Sequence, residues 1–254
     1  MKDLDEYSKE HVRERLDILL VERGLARSRT AAVVLIERGS VCVNDIVINK
    51  ASRTVLINAK IEVTEPLAFV SRAGEKLEHA LSTWNISVDS LIVADIGAST
   101  GGFTDCLLKR GAKKVYAIDV GTNQLDANIR NNLKVVSIEQ TDVRGVHLPE
   151  LVDFVTIDVS FISLTHILET AKNLLKDADS TNDKTIIALV KPQFEIGPNQ
   201  VDKHGVVTDE IKREEALNKI KTEAEKLRLI VQAETTSPII GTAGNVEFLL
   251  WLKK

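Results

Sequence analysis

The stretch Val93-Ala94-Asp95-Ile96-Gly97-Ala98-Ser99-Thr100-Gly101-Gly102-Phe103-Thr104-Asp105 limits what this chain can become more than any other. An apolar run, Leu91 to Ala94, ends in an acid and then breaks into glycines and small polar residues. Phe103 to Leu108 reads as a helix start and Ala112 to Asp119 as a second apolar strand. Strand, tight loop, helix and strand make the first crossover of a parallel sheet. Gly97, Gly101 and Gly102 let the backbone approach a ligand closely, and the helix start behind them favours negative charge. A dinucleotide site would want G-x-G-x-x-G with an acid about 20 residues on. Here Ala98, Ser99 and Thr100 separate the first two glycines, and Asp95 would repel a pyrophosphate. That carboxylate suits an ammonium group, and Asp119, closing the second strand, can take both hydroxyls of a ribose. A purely structural turn in a non-catalytic α/β domain is the other reading.

With 254 residues the chain can bury a real core and has room for one large domain plus a small one. Its formal net charge of −4 carries no global nucleic-acid signature, so any basic footprint must be local. Cys42 and Cys106 are too few and too far apart for a disulfide framework or a metal cluster. His11, His79, His147, His166 and His204 show no ligand spacing, so no metal is expected. The longest uncharged run, Thr235 to Val246, is interrupted by a proline and two glycines, too broken for a membrane span. The first six residues lack the apolar core of a signal peptide, and a soluble cytoplasmic protein is expected.

Residues 1–12 are mostly polar and charged and are expected to form a flexible tail. From Arg13, Leu16, Leu19 and Leu20 fall at helical spacing, with Gly24 as the stop. Ser28 can cap a second helix with Ala32, Leu35 and Ile36 on its apolar face, ended by Gly39. Val41 to Val47 reads as a short strand with an Asn-Asp turn, and Lys60 to Val63 as another. Residues 11–60 hold nine Lys/Arg against five acids, a local surplus of four. Arg27, Arg29 and Arg38 cluster on or beside the second helix. Arginine forks suit phosphates, although charge alone is more often the mark of a solvated helix face.

The order of these elements resembles an S4 RNA-binding domain over residues 13–65, in the blocks running from Arg15 to Ala32 and from Ile36 to Asn44. The resemblance implies that Arg15, Arg27, Arg29 and Arg38 face RNA. Residues 66–70, including Pro66, form the expected linker. The loop Asp-x-Gly-x-x-x-Gly-Gly likewise resembles motif I of class I S-adenosylmethionine-dependent methyltransferases, which implies cofactor contacts from Asp95, Gly97, Ser99, Gly101, Gly102, Phe103 and Asp119.

The second domain is expected over residues 71–254. Ala73, Leu77, Ala80, Leu81 and Trp84 form an apolar helix stripe, with Arg72, Lys76 and His79 on an adjacent face. After the crossover, Lys134 to Ile138 reads as a third strand ended by Thr141-Asp142, where Asp142 could meet the adenine amino group. Val152 to Ile157 is a strand ending in Asp158, Ser163 to Lys176 a helix, and Thr185 to Val190 a buried strand ending in Lys191. Glu195 to Val207 reads as a polar, mobile loop, and Asp209 to Leu227 as a charged amphipathic helix. Leu229 to Thr235 and Val246 to Leu252 are the last strands, with Glu247 as the second residue of the final one. Seven strands alternating with helices and ending on two strands match the class I methyltransferase architecture, an α/β, Rossmann-like fold preceded here by a small α+β domain.

In an open α/β sheet the ligand site lies at the carboxyl ends of the strands. Asp158, Lys191 and Glu247 converge there from three neighbouring strands, and Lys76 lies on a helix that could pack against the rim. Each could be a strand-end salt bridge. Together they resemble the Lys-Asp-Lys-Glu set of FtsJ-type ribose 2′-O-methyltransferases. A ribose hydroxyl must lose its proton as it attacks, and a neutral lysine can take it; a second nearby cation and partial burial favour that neutral form.

The S4-like front and FtsJ-like rear, joined through Phe69-Val70-Ser71-Arg72-Ala73-Gly74-Glu75-Lys76-Leu77, closely resemble the TlyA (hemolysin A) family. Further matching blocks are Val155 to Leu164, Val190 to Glu195 and Gly244 to Glu247; the family usually has Pro-Lys where this chain has Thr242-Ala243. The resemblance implies a methyltransferase using S-adenosylmethionine on a cytidine 2′-hydroxyl of ribosomal RNA, with ribosomal RNA or ribosomal subunits as partners. Lys191 is the implied base, Lys76, Asp158 and Glu247 complete the site, and Arg72 adds to the RNA surface. A non-catalytic RNA-binding assembly factor, a pore-forming toxin and a small-molecule methyltransferase are the alternatives.

Overall fold

The structure, a computed structural model, describes residues 12–177, 184–241 and 243–254. Most of the expected N-terminal tail and Thr242 thus lie outside the described residues. Two compact units divide the chain, Met1–Ala68 and Phe69–Lys254.

The first unit contains helices α1 (Leu16–Glu22) and α2 (Arg29–Glu37) and strands β1 (Arg13–Arg15), β2 (Val41–Val43), β3 (Ile46–Val47), β4 (Thr54–Leu56) and β5 (Ile61–Val63). Ser28 caps α2 by accepting the Ala31 N–H at 3.2 Å. The turn between β2 and β3 places Asn44 and Asp45 at φ 50° and 64°, the left-handed pair a two-residue hairpin requires. β2 pairs with both β3 and β5. Arg13–Arg15, read from sequence as the approach to a helix, is instead a strand paired antiparallel with β4. Both partners are three residues long, too short to carry a periodicity.

The second unit is a seven-stranded sheet. Its elements are α3 (Ala73–Thr83), β6 (Ile92–Ile96), α4 (Gly102–Lys109), β7 (Lys114–Ile118), α5 (Ala127–Arg130), β8 (Val135–Ile138), β9 (Phe154–Ile157), α6 (Leu168–Leu174), β10 (Thr185–Val190), α7 (Pro192–Glu195), α8 (Glu210–Lys226), β11 (Ile230–Thr236) and β12 (Phe248–Lys253). The strand order is β11-β12-β10-β9-β6-β7-β8, with β12 antiparallel between its neighbours. Alternate residues feed two cores. Ala94, Ile96, Ile157 and Ala188 pack on Leu168, Ala171 and Ile220. Val93, Phe154, Ile187 and Leu189 pack on Leu77, Leu81, Phe103 and Leu107. Helices on both faces are why the central strands read as nearly continuous apolar runs.

Three local expectations change. Ser163–Lys176 is not one helix: a 3-10 turn at Leu164–His166, capped by Ser163, precedes α6. Glu247 precedes the last strand, which starts at Phe248. The linker is shorter than residues 66–70, because Phe69 is buried in the second unit and the Val70 N–H donates to the Asp105 carboxylate at 2.8 Å.

Candidate active site

The carboxyl edge of the sheet gathers most of the chemistry. β6 ends at Ile96, and Gly97 follows at φ +83°. A Cβ there would stand 2.5 Å from the Asp158 carbonyl oxygen, so the loop can lie against the end of β9 only with glycine. The Gly97 N–H donates to the Ile118 carbonyl at 2.8 Å, which sews the loop to β7. Asp119 continues the seam: its carboxylate accepts the Ser99 N–H and the Gly121 N–H, each at 2.7 Å.

These elements enclose a cavity of about 430 Å³ whose wall includes Gly97, Ser99, Asp119, Asp142, Val143 and Ile162. A smaller hollow of about 130 Å³ adjoins it, sharing Gly97, Ser99, Asp158 and Ser160 and adding Gly102, Phe103 and Lys191. Asp142 caps a short turn by accepting the Arg144 N–H, and the Arg144 guanidinium holds its carboxyl down to about 2. Gly101 lines neither hollow.

Asp95 departs from its expected place. It is wholly buried and forms part of neither wall; its oxygens accept from Thr104 at 2.6 Å and Thr156 at 2.8 Å. Burial pushes its carboxyl up to about 6, against the pull of the two hydroxyls. The side chain at a strand's last inward position points into the core, and an acid two residues before the glycine turn is held behind the loop.

The four charged residues resolve into two pairs. Lys191 Nζ lies 2.8 Å from Asp158 Oδ1, and Lys76 pairs with Glu247. Lys76 and Glu247 are 8% and 3% exposed, so this pair is enclosed, although charged residues are seldom buried to this extent. The register explains the convergence: Val190 faces Phe248, so Lys191 and Glu247 leave adjacent antiparallel strands at one edge. The Asp158 N–H donates to the Ile96 carbonyl at 2.8 Å and holds the end of β9 against β6.

Three neighbours were not singled out by sequence reasoning. Ser160 Oγ accepts from Lys191 Nζ at 2.8 Å. Phe161 stands at φ +65° with 92% of its surface exposed, 5.2 Å from the Phe194 ring centre. Glu195, expected to open a mobile polar loop, is buried and accepts the Leu164 N–H at 2.9 Å. All three lie in quoted sequence blocks, but exposure and pairing leave no mark on a sequence.

In the first unit, Arg15 and Arg29 both turn onto Asp17. Arg15 Nε and Arg29 Nε donate to its carboxylate at 2.9 Å and 2.8 Å. The Arg15 hydrogen bond and then Arg29 hold the Asp17 carboxyl well below the usual range, although it is buried. Arg27 and Arg38 are exposed at the two ends of α2, and Arg72 is half-buried ahead of α3 in the second unit. Among the described residues, no group of three or more His, Cys, Asp or Glu could hold a metal, and no helix is long and apolar enough to cross a membrane.

Comparison with known proteins agrees with this geometry. The FtsJ-like methyltransferase model matches residues 69–254, and the S4 domain model matches residues 14–61. Hemolysin A of Brachyspira hyodysenteriae is 42% identical over 92% of this chain and 98% of its own length. The 16S/23S rRNA (cytidine-2'-O)-methyltransferase TlyA of Mycobacterium tuberculosis is 40% identical over 95% of this chain and 90% of its own. A solved Streptococcus thermophilus structure, of a protein named for the hemolysins, superposes with a TM-score of 0.74 at 40% identity, covering 95% of this chain and 88% of that one. With its S4 domain and its FtsJ-like methyltransferase domain, the chain belongs to the TlyA (hemolysin A) family.

Proposed function

We propose that this protein transfers a methyl group from S-adenosylmethionine to the ribose 2′-hydroxyl of a cytidine in ribosomal RNA. The observation that carries the reading is the pairing of Lys191 with Asp158 and Lys76 with Glu247 beside a glycine-lined cavity. The cavity's size lies within the usual range for small-molecule sites, about 300–1,000 Å³. Its chemistry suits the cofactor: Val143 and Ile162 supply apolar wall for an adenine, and Asp119 supplies a carboxylate for ribose hydroxyls. Asp142 can accept an adenine amino proton only by sharing its oxygens with Arg144. Bound there, S-adenosylmethionine supplies a sulfonium-activated methyl group open to attack by an oxygen.

The chain's own residues do the rest. The smaller hollow leads from the cavity to Lys191, so a hydroxyl entering it meets the amine. Lys191 takes the hydroxyl proton, and Asp158 holds the resulting ammonium in place. Holding the reactants in line supplies much of the barrier reduction. Phe161 offers an exposed ring at the rim for a base turned out of its stack. Arg15, Arg27, Arg29, Arg38 and Arg72 bind the RNA backbone, and such a substrate places the activity in the cytoplasm. Support for the substrate comes from the S4 match and from the activity named for the Mycobacterium tuberculosis relative.

The test is to map alkali-resistant ribose linkages in ribosomal RNA with and without the protein. A new cytidine linkage that requires Lys191 is expected. Methylation confined to bases, or none, refutes the reading.

A further inference from the structure

We infer that Ser160 is a positioning residue for the proton transfer, setting the direction in which Lys191 presents its lone pair; the inference rests on the transferase reading above. Two oxygens lie 2.8 Å from Lys191 Nζ, Asp158 Oδ1 and Ser160 Oγ. They are not equivalent. The Ser160 contact has hydrogen-bond alignment, whereas Asp158 Oδ1 is buried without an aligned donor, so its contact with Lys191 is a charge contact. An ion pair attracts the amine but does not fix its rotation about the Cε–Nζ bond. A directional hydrogen bond does.

The geometry then follows from valence. A neutral amine has two N–H bonds and one lone pair in a tetrahedral arrangement. One N–H directed at Ser160 Oγ and the other turned toward the Asp158 charge leave a single direction for the lone pair. Ser160 lines both hollows beside the amine, so that direction opens onto space a substrate hydroxyl can reach. In the reaction, the hydroxyl proton moves to the lone pair and makes an ammonium. The oxygen's electron pair forms the bond to the methyl carbon, and the carbon–sulfur pair stays on sulfur. Without Ser160, the lone pair sweeps a cone and spends little time aimed at the hydroxyl.

Ser160 is itself held. Its loop starts at Asp158, whose N–H is bonded to Ile96, and ends at Leu164, whose N–H is bonded to Glu195 at 2.9 Å. Glu195 also accepts the Ser163 hydroxyl, and it ends the short helix that begins directly after Lys191. The serine and the lysine therefore ride on two segments tied to each other beyond the site as well as within it. A serine present only to keep a surface loop soluble needs neither the alignment nor the tie.

The experiment compares wild type, Ser160→Ala and Ser160→Thr on ribosomal RNA, with cofactor affinity measured by calorimetry. Ser160→Ala should lower kcat on the order of 10- to 100-fold, a part of the roughly 10²–10⁴ a positioned base contributes. KM for RNA and the cofactor Kd should stay within about twofold, since the loss is of a transition-state interaction. Ser160→Thr keeps the oxygen and should recover most of kcat. An alanine variant with wild-type kcat, a loss that falls on KM or Kd, or a threonine variant as slow as alanine overturns the inference. If wild type itself leaves no methyl on ribose, the transferase reading has failed; if it does and alanine matches it, only the role of Ser160 has.

Discussion

Replacing Asp95 with Asn removes a charge from the most enclosed ionisable position near the site while keeping its shape. The folded carboxyl titrates at about 6, against an ordinary 3.8, chiefly because burial penalises the charge. At 1.36 kcal/mol per pH unit, that difference corresponds to about 3 kcal/mol. The native state holds this proton more tightly than the unfolded chain. Its contribution to stability is therefore fully present below pH 3.8 and is lost as pH rises through about 6. Roughly half of the loss, about 1–2 kcal/mol, falls between pH 5 and 7.5. Asparagine does not titrate, so the stability of Asp95→Asn relative to wild type should rise by that amount over the interval. Urea unfolding of both proteins at the two pH values measures it, and every other titrating group cancels in the comparison. A gap that stays constant or narrows refutes the argument. The same variant separates two roles toward the cofactor. A carboxylate contacting an ammonium directly would lose about 1.5–3 kcal/mol of affinity on becoming an amide. A group that only holds Thr104 and Thr156 in place keeps those hydrogen bonds, and calorimetry should find affinity close to wild type.

Lys191→Arg should fold, bind the cofactor and be nearly inactive at neutral pH, because a guanidinium stays protonated there and has no neutral form to accept a proton; near wild-type turnover would show that another group takes it. Lys76→Met should cost about 3–5 kcal/mol by stranding buried Glu247, and adding Glu247→Leu should restore stability in urea melts but not methyl transfer. Asp119→Ala should weaken cofactor binding by about 1.5–3 kcal/mol or more, since it also frees the Ser99 and Gly121 N–H groups; unchanged affinity by calorimetry would remove Asp119 from the cofactor site. A fragment beginning at Pro66 should keep cofactor affinity and lose most RNA affinity, and the full chain's RNA binding should fall steeply with salt; equal RNA affinity of fragment and whole chain would sink the assignment of RNA binding to the S4 domain.

Hydrophobic runs explain what was legible. The central strands are buried on both faces, so runs such as Thr185–Val190 could be read as buried strands, and the structure reproduces that one residue for residue. Local chemistry did as well at Ser28, Asn44-Asp45 and Asp209, where one side chain or one turn decides the backbone. The paired strands β1 and β4 failed, because three-residue segments hold their shape through partners distant in sequence. The burial of Asp95 was hidden for a related reason. Its spacing to Gly97 is visible in the chain, but Thr104 and Thr156, which decide where its oxygens go, lie 9 and 61 residues away. Ser160 and Glu195 are the same case: Lys191 for the first, and Ser163 with Leu164 for the second, are partners across a loop.

The sequence also suggested that Lys76 acts on Lys191 as a nearby cation, and the pairing changes that logic. Each lysine has a carboxylate of its own, so Glu247 largely cancels the field Lys76 would exert. What remains for the outer pair is placement. An ion pair this enclosed is a poor source of stability, since two apolar side chains of similar volume do as well without the desolvation cost. Its position has another explanation. Glu247 leaves its strand beside Lys191, and Lys76 reaches it from α3, one turn beyond the Ala73 that lines the smaller hollow. The pair thus anchors the helix that walls the hollow to the strand edge that carries the base. In the proposed reaction Lys191 and Asp158 would then do the proton chemistry and Ser160 would aim it, while Lys76 with Glu247 ties one wall of the hollow to the other.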